Sequence, residues 1–357
     1  MKILVVIDHF KEGGAERVAS ILINRLCLEH QVYTAVVETG INYPLNLNQI
    51  TYINLSINIR FKPFRILGRF YNLLKLIRKV KPDLILSFGN YMSIYTSFAL
   101  EFSGKRKEVR YIASERTDPT REPSNKIVRL LRDKAYNMCD CLVCQTSWVV
   151  DYFKERINTG YVTISNPITP HLPVWMGMDS HVIMTACRLE RQKNLPMLLE
   201  AFQKLHQLYP QIRLKIFGEG SLKDFLIAKA QVLGISNEVS FLGFSKNIHQ
   251  EMVNSYMYVS SSDYEGISNS MLEALGCGVP TICTDCPVGG ASMFIRSGEN
   301  GLLVPVGDEK SLFKAMKQLI ENKTIAIQFS QRSFNINDKI SVENIVRTWL
   351  DVIEKNN

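Results

Sequence analysis

The chain alternates short, fully apolar runs with longer stretches whose apolar residues recur at helical spacing. In the first half the apolar runs predict strands over 3–7, 32–37, 51–55, 83–87, 109–113, 141–144 and 161–164. The amphipathic stretches between them predict helices over 15–29, 64–80, 91–102, 124–137 and 148–156. In the second half strands are expected over 182–186, 214–217, 239–242, 256–260, 279–283 and 301–304. Helices are expected over 195–209, 221–233, 248–254, 270–276 and 309–322. Strands alternating with helices imply parallel sheets covered by helices on both faces, an α/β fold. The rhythm breaks once, at Asn166-Pro167-Ile168-Thr169-Pro170-His171-Leu172-Pro173, where three prolines in seven residues can continue neither kind of element. The break predicts two doubly wound, Rossmann-like domains, 1–167 and 168–340, with a last helix at about 341–357 packing back onto the first. Two such domains facing each other across a cleft suit a reaction between two substrates.

Length and composition agree with two ordinary globular domains. The 357 residues are 46% hydrophobic and 21% charged, which excludes a disordered or collagen-like chain. No run approaches the roughly 18 apolar residues of a membrane span. The N-terminal run Ile3–Ile7 is too short for a signal-peptide core and reads as a buried strand, so a cytoplasmic location is expected. Charge adds something the pattern does not. Residues 1–170 carry 24 Lys and Arg against 15 Asp and Glu, a net of +9, whereas residues 171–357 carry 18 against 19, a net of −1. The first half is therefore expected to meet something anionic: nucleic acid, a phosphorylated substrate or a membrane surface. The eight cysteines include the spacings Cys139-x-Cys141-x-x-Cys144 and Cys283-x-x-Cys286, which invite a zinc reading. The first cluster lies in an apolar run, however, and the cysteines read as buried packing thiols with no metal site expected.

Several loops leaving strand ends carry candidate chemistry. Gly13-Gly14-Ala15-Glu16-Arg17 follows the first strand and opens a helix; it is either an anion-binding helix start or a tight turn, and it lacks the dinucleotide fingerprint. Arg188 and Lys193, five residues apart after a strand of the second half, could clamp a diphosphate, Arg188 with its fork of donors and Lys193 as a mobile point charge. The bland alternative is a solvated charge run. Gly218-Glu219-Gly220 forms another glycine turn at a strand end. The densest segment is 263–280. Ser268, Asn269 and Ser270 are capping types that predict a helix start, with Glu265 in the preceding loop, free to reach a ligand. Glu273, expected in the first turn or so, could accept two hydrogen bonds from a ribose diol, or could merely complement the helix dipole.

Glu265-x₇-Glu273, with Arg188 and Lys193 upstream, resembles the signature of the retaining glycosyltransferases of family 4, which have the GT-B fold. The likeness runs in order from Gly13–Arg17 through Ser165-Asn166-Pro167, Arg188–Asn194, Gly218-Glu219-Gly220, Val239–Gly243 and Glu265–Pro280 to Ser297–Pro305. The resemblance implies that Arg188 and Lys193 bind the donor diphosphate and stabilise the departing nucleotide, with Glu265 as the third catalytic residue and no metal or other cofactor needed. It implies that Glu273 holds the ribose, and that Glu265 with the amides of Gly266, Ile267 and Ser268 meets the sugar and phosphates. Gly218 belongs to the same donor site, the base rests at Gly243 and Phe244, and Gly13 and Gly14 line the cleft opposite. It further implies transfer of a hexose or N-acetylhexosamine from a UDP-sugar to a lipid-linked or oligosaccharide acceptor in bacterial surface-polysaccharide assembly. One departure stands out. Many relatives carry a His after the strand at 109–113, and here Arg116 occupies that place, between Glu115 and Asp118. Arg cannot act as a general base at ordinary pH, so Arg116 and its two neighbours are expected to contact the sugar or the acceptor instead.

The segment Arg60–Lys81 holds eight basic and no acidic residues, and its apolar stripe is wider than one sheet needs. A basic amphipathic helix with surplus aromatics suits an anionic membrane surface, with Lys62, Arg65, Arg69, Phe70 and Lys79 as the patch. That would make the protein peripheral on the inner face of the plasma membrane. Two rival readings are a nucleotide-sugar epimerase of the same fold, which needs no such face, and a basic nucleic-acid-binding protein. The second lacks any nucleic-acid-binding signature and would leave Glu265 and Glu273 idle, so no nucleic-acid partner is expected.

Overall fold

A computed structural model describes residues 1–11, 13–58 and 61–355, with the side chain of Lys62 outside the described set. The chain divides into two compact units, Met1–Pro167 with Val342–Asn357, and Ile168–Ser341.

The first unit is built on strands β1 (Lys2–Ile7), β2 (Gln31–Val36), β3 (Ile50–Asn54), β4 (Leu84–Phe88), β5 (Arg110–Ser114), β6 (Cys141–Cys144) and β7 (Gly160–Thr163). They form one sheet in the order β3-β2-β1-β4-β5-β6-β7, with every pair parallel. The central strands are mostly apolar because helices cover both faces; Ile3, Leu4, Val5 and Val6 of β1 are all fully buried. The crossover helices are α1 (Gly14–Leu26), α2 (Lys62–Val80), α3 (Asn90–Phe102), α4 (Lys126–Tyr136) and α5 (Ser147–Lys154). The right-handed rule for parallel crossovers puts α2 to α5 on one face, and α3 packs between α2 and α4.

The second unit holds β8 (Val182–Ala186), β9 (Arg213–Phe217), β10 (Val239–Gly243), β11 (Met257–Ser260), β12 (Thr281–Thr284) and β13 (Leu302–Val304). Its all-parallel order is β10-β9-β8-β11-β12-β13. Its helices are α6 (Leu195–Leu208), α7 (Lys223–Val232), α8 (Ile248–Val253), α9 (Asn269–Gly276), α10 (Glu309–Glu321), α11 (Lys323–Ser333) and α12 (Ile336–Lys339). The final helix, α13 (Val342–Glu354), packs on α1 of the first unit. Arg110 caps it by donating to the carbonyls of Val352 and Ile353, both at 2.6 Å.

All thirteen expected strands are present, none displaced by more than two residues. The sequence pattern missed α11 and α12. The inward face of α11 is Ala326, Phe329, Ser330 and Ser333, too polar to stand out as an apolar stripe. No helix among the described residues is long and apolar enough to cross a membrane.

The basic face of α2 differs from the expected patch. Arg69 turns inward, where Nη2 donates to the Val37 carbonyl at 3.2 Å, and the Phe70 ring packs edge-on against Phe102. Arg65 is half-buried and Lys79 exposed, while Arg60 and the side chain of Lys62 lie outside what is described. The apolar residues that do face outward are Phe61, Phe64, Ile66, Leu67 and Tyr71. Helical spacing alone does not say which of two broad stripes meets the sheet.

Candidate active site

In the second sheet the chain winds outward from β8 through β9 to β10, then returns to add β11 on the other side of β8. The point where winding reverses, at the strands' carboxyl ends, is where open α/β sheets hold ligands. The loops 187–194 and 261–268 leave β8 and β11 at that point and are knitted together. Gln192 Nε2 donates to the Tyr264 carbonyl at 2.8 Å, Asn194 Nδ2 to Asp263 Oδ1 at 2.7 Å, and Ser261 Oγ to the Lys193 carbonyl at 2.9 Å. The Asp263 amide in turn donates to the Gln192 carbonyl at 2.8 Å.

This lacing sets the charged side chains. Lys193 Nζ forms an ion pair with Glu265 Oε1, and both side chains are largely buried. Glu265 also accepts from Ser262 Oγ at 2.9 Å and from Gln192 Nε2 at 3.3 Å. The loop carboxylate expected to be free is therefore held in place. Arg188 contrasts with it: it is exposed, and its side chain has no hydrogen-bond or ion-pair partner among the described residues.

Helix α9 begins where capping chemistry predicts, with Ser268 Oγ accepting from the Met271 amide at 3.3 Å. Glu273 falls in its second turn, one turn later than expected. Its Oε1 accepts from Thr169 Oγ1 at 2.9 Å, and its Oε2 lies 3.2 Å from His249 Nε2 on α8. That separation suits an ion pair if the imidazole is protonated, although the ring N–H is not aligned for a hydrogen bond. Ser260, Glu265, Gly266, Ser268 and Met271, with Cys283, Thr284, Cys286 and Ala291, line a small hollow. Gly290 packs so closely on the Gly266 carbonyl that a side chain would not fit between them. Ile267 is buried, which anchors the loop beneath α9.

The turns after β9 and β10 close the other side. Gly218, at φ +119°, donates its amide to the Gly243 carbonyl at 2.8 Å, and any Cβ there would strike the Cys187 carbonyl. Gly243 has φ +68° and leads into Phe244, whose ring is exposed.

In the first unit the candidate residues lie differently. Gly13 caps α1 at φ +139°, and the Glu16 carboxylate curls back against it over the helix N-terminus, with Gly14 as the first helical residue. Glu115, Arg116 and Asp118, expected to contact sugar or acceptor, are all buried and bonded within the unit. Glu115 Oε1 accepts from the amides of Arg116 and Thr117 and from the Thr117 hydroxyl, and burial raises its carboxyl above the usual range. Arg116 donates to Ser114 Oγ at 2.8 Å and Asn166 Oδ1 at 3.1 Å, and its guanidinium lies beside the rings of Phe88 and Trp349. Burial lowers its pKa to about 10. Asp118 accepts from the amide and hydroxyl of Thr120 at 2.8 and 2.7 Å. A polar cluster just after a strand reads the same in sequence whether it meets a ligand or ties down its own loop.

Sequence reasoning overlooked His249 and Thr169. A lone His carries no motif, and Thr169 sits in the proline-rich stretch read only as a boundary. Burial pushes the thiols of Cys187 and Cys286 up to about 11 and 12, as for packing cysteines.

Residues 12–172 match the family described as Glycosyltransferase Family 4, and residues 177–335 the one described as Glycosyl transferases group 1. Among curated relatives, the chain is 26% identical over 351 residues to the N-acetylgalactosamine-N,N'-diacetylbacillosaminyl-diphospho-undecaprenol 4-alpha-N-acetylgalactosaminyltransferase of Campylobacter jejuni, covering 93% of both chains. It is 25% identical over 343 residues to the lipopolysaccharide core biosynthesis glycosyltransferase LpsE of Rhizobium meliloti, covering 91% of each. Among solved structures, Anabaena HepE in complex with UDP-glucose superposes with a TM-score of 0.85 at 18% identity, over 99% of both chains. With the two families together spanning both sheets, the chain belongs to the glycosyltransferases, as a GT-B enzyme with a family 4 first half and a group 1 second half.

Proposed function

We propose that this glycosyltransferase moves a hexose or N-acetylhexosamine from a UDP-sugar to a lipid-linked or oligosaccharide acceptor, with retention, in the assembly of a bacterial capsule, O-antigen or exopolysaccharide. The observation that carries the donor assignment is the unpaired, exposed Arg188 beside the Lys193–Glu265 pair at the switch point of the second sheet. In this reading the Arg188 fork and the Lys193 ammonium take up the negative charge that builds on the diphosphate as the sugar–oxygen bond breaks. The amides at the start of α9 add the positive end of the helix dipole. Glu265 orients Lys193 and meets the sugar, and Glu273 receives the ribose hydroxyls. The acceptor oxygen attacks from the face the leaving group departs, so the anomeric configuration is kept. Charge neutralisation falls to side chains, and no metal ion is required.

Relatives supply the finer support. The Campylobacter relative's name gives a diphospho-undecaprenol acceptor, the Rhizobium relative's gives lipopolysaccharide core synthesis, and HepE was solved with UDP-glucose. The acceptor side of this reading rests on an anionic membrane at the inner face of the plasma membrane, through the exposed Phe61 just before α2 and Phe64, Leu67 and Tyr71 on it.

The test is a screen of nucleotide sugars with the purified protein and a polyprenyl-diphosphate-linked acceptor, with and without EDTA, reading product by mass and anomer by NMR. An α-linked product from one UDP-sugar, unchanged by EDTA, is the expected result. An inverted product, activity restored only by a divalent cation, or isomerisation of the nucleotide sugar without transfer would each overturn part of it.

A further inference from the structure

Helix α4 shows apolar residues on both sides. Its inward side carries Ala135 and Tyr136 together with Arg132, fully buried, which donates to the carbonyls of Pro119 and Glu122 at 2.8 and 2.9 Å and stacks over the Phe153 ring at 4.9 Å. Its outward side carries Ile127, 67% exposed, Leu130, 70% exposed, and Leu131, 40% exposed. These are spaced i, i+3 and i+4, so they form one stripe rather than scattered single residues. Lys126 and Lys134 flank the stripe and are exposed. The helix's one carboxylate, Asp133, is tied to Arg132 at 2.8 Å and leaves that positive flank uncompensated.

We propose that α4 is a second membrane-contacting helix, whose Ile127–Leu130–Leu131 stripe enters the surface of an anionic bilayer while Lys126 and Lys134 meet its headgroups. The proposal rests on the membrane reading given for α2. A bilayer is the environment that rewards an apolar outer face, and the basic flanks select an anionic one. A second copy of the same face would bring like charges together. Topology supports a shared plane: α2, α3 and α4 lie side by side on one face of the sheet, and parallel crossovers put their N-termini at the same sheet edge. The exposed aromatic of α3 at that edge is Tyr91, between Phe64 and Ile127.

The experiment is co-sedimentation with vesicles of phosphatidylcholine alone or doped with phosphatidylglycerol. It compares wild type with an α4 variant (Ile127→Ser, Leu130→Ser) and an α2 variant (Phe64→Ser, Leu67→Ser), with transfer to a short soluble acceptor as a check on folding. The expected result is wild-type binding to the doped vesicles only. The α4 variant should bind roughly tenfold more weakly with soluble-acceptor activity retained. In a second measurement, Leu130→Trp should show fluorescence quenched by brominated lipid. Full binding by the α4 variant, with an unquenched Leu130→Trp, overturns the α4 proposal while α2-dependent binding leaves the membrane reading standing. A wild type that ignores doped vesicles overturns both. A wild-type dimer that the α4 variant abolishes, with vesicle binding unaltered, assigns the stripe to self-association and overturns the proposal.

Discussion

The two sheets share one architecture and end in opposite chemistry. At the carboxyl edge of the first, Glu115, Arg116, Asp118 and Arg132 are buried and bonded to their own unit. At the carboxyl edge of the second, Lys193, Glu265 and Glu273 are largely buried and paired, but Arg188 beside them is exposed and its side chain has no partner among the described residues. A charge bonded within its own unit holds a loop in place, although Arg116 keeps one buried Nη2 without a hydrogen-bond partner. One left without a partner beside a switch point is available to a substrate. The contrast is one that residue type and position in the fold do not reveal.

The comparison breaks most visibly at its buried end. Arg132→Ala strands the partners of a fully buried guanidinium and should cost about 3–5 kcal/mol, a lowered first transition in calorimetry, with the second unit's transition unmoved. Donor binding that is lost before any unfolding would instead make Arg132 part of the site. At the exposed end, Arg188→Ala should leave thermal stability within about 0.5 kcal/mol of wild type. Both Arg188→Ala and Lys193→Ala should lower kcat by roughly 10²–10³ if they stabilise the departing diphosphate. Wild-type turnover in both would remove the proposed donor clamp.

Much of this was readable in the chain, for physical reasons that vary by element. Strands buried on both faces read as nearly continuous apolar runs, so β1 and β4 announce themselves. The start of α9 is legible because Ser268 is a side chain whose oxygen can reach a helix amide. What sequence could not supply is pairing across long separations. Glu265 looked free because its partner Lys193 is 72 residues away. Arg69 and Phe70 of α2 looked like surface because a broad apolar helix does not declare its inward side. Arg116, Glu115 and Asp118 sit at a place where the fold admits ligands, and their bonds to Ser114, Asn166, Thr117 and Thr120 could not be read from residue type.

The finest difference concerns how the proposed ribose carboxylate is held. Glu273 lies between two side chains from other elements, Thr169 on Oε1 and His249 near Oε2. Both contact Glu273, so in the proposed reading they are positioning residues that act through it. A carboxylate that must accept from a diol gains from having its rotamer set beforehand, and losing one such contact costs about 0.5–1.5 kcal/mol. His249→Ala should therefore raise the KM for the UDP-sugar roughly two- to tenfold while kcat changes little, the signature of a contact made equally in ground and transition states. Thr169→Val should do the same from the other oxygen. Because both act through one carboxylate, the double variant should fall short of the product of the two single effects, whereas independent roles would multiply. A fall in kcat with KM unmoved would instead place His249 in the chemical step. A multiplicative double variant would show that Glu273 is not what joins them.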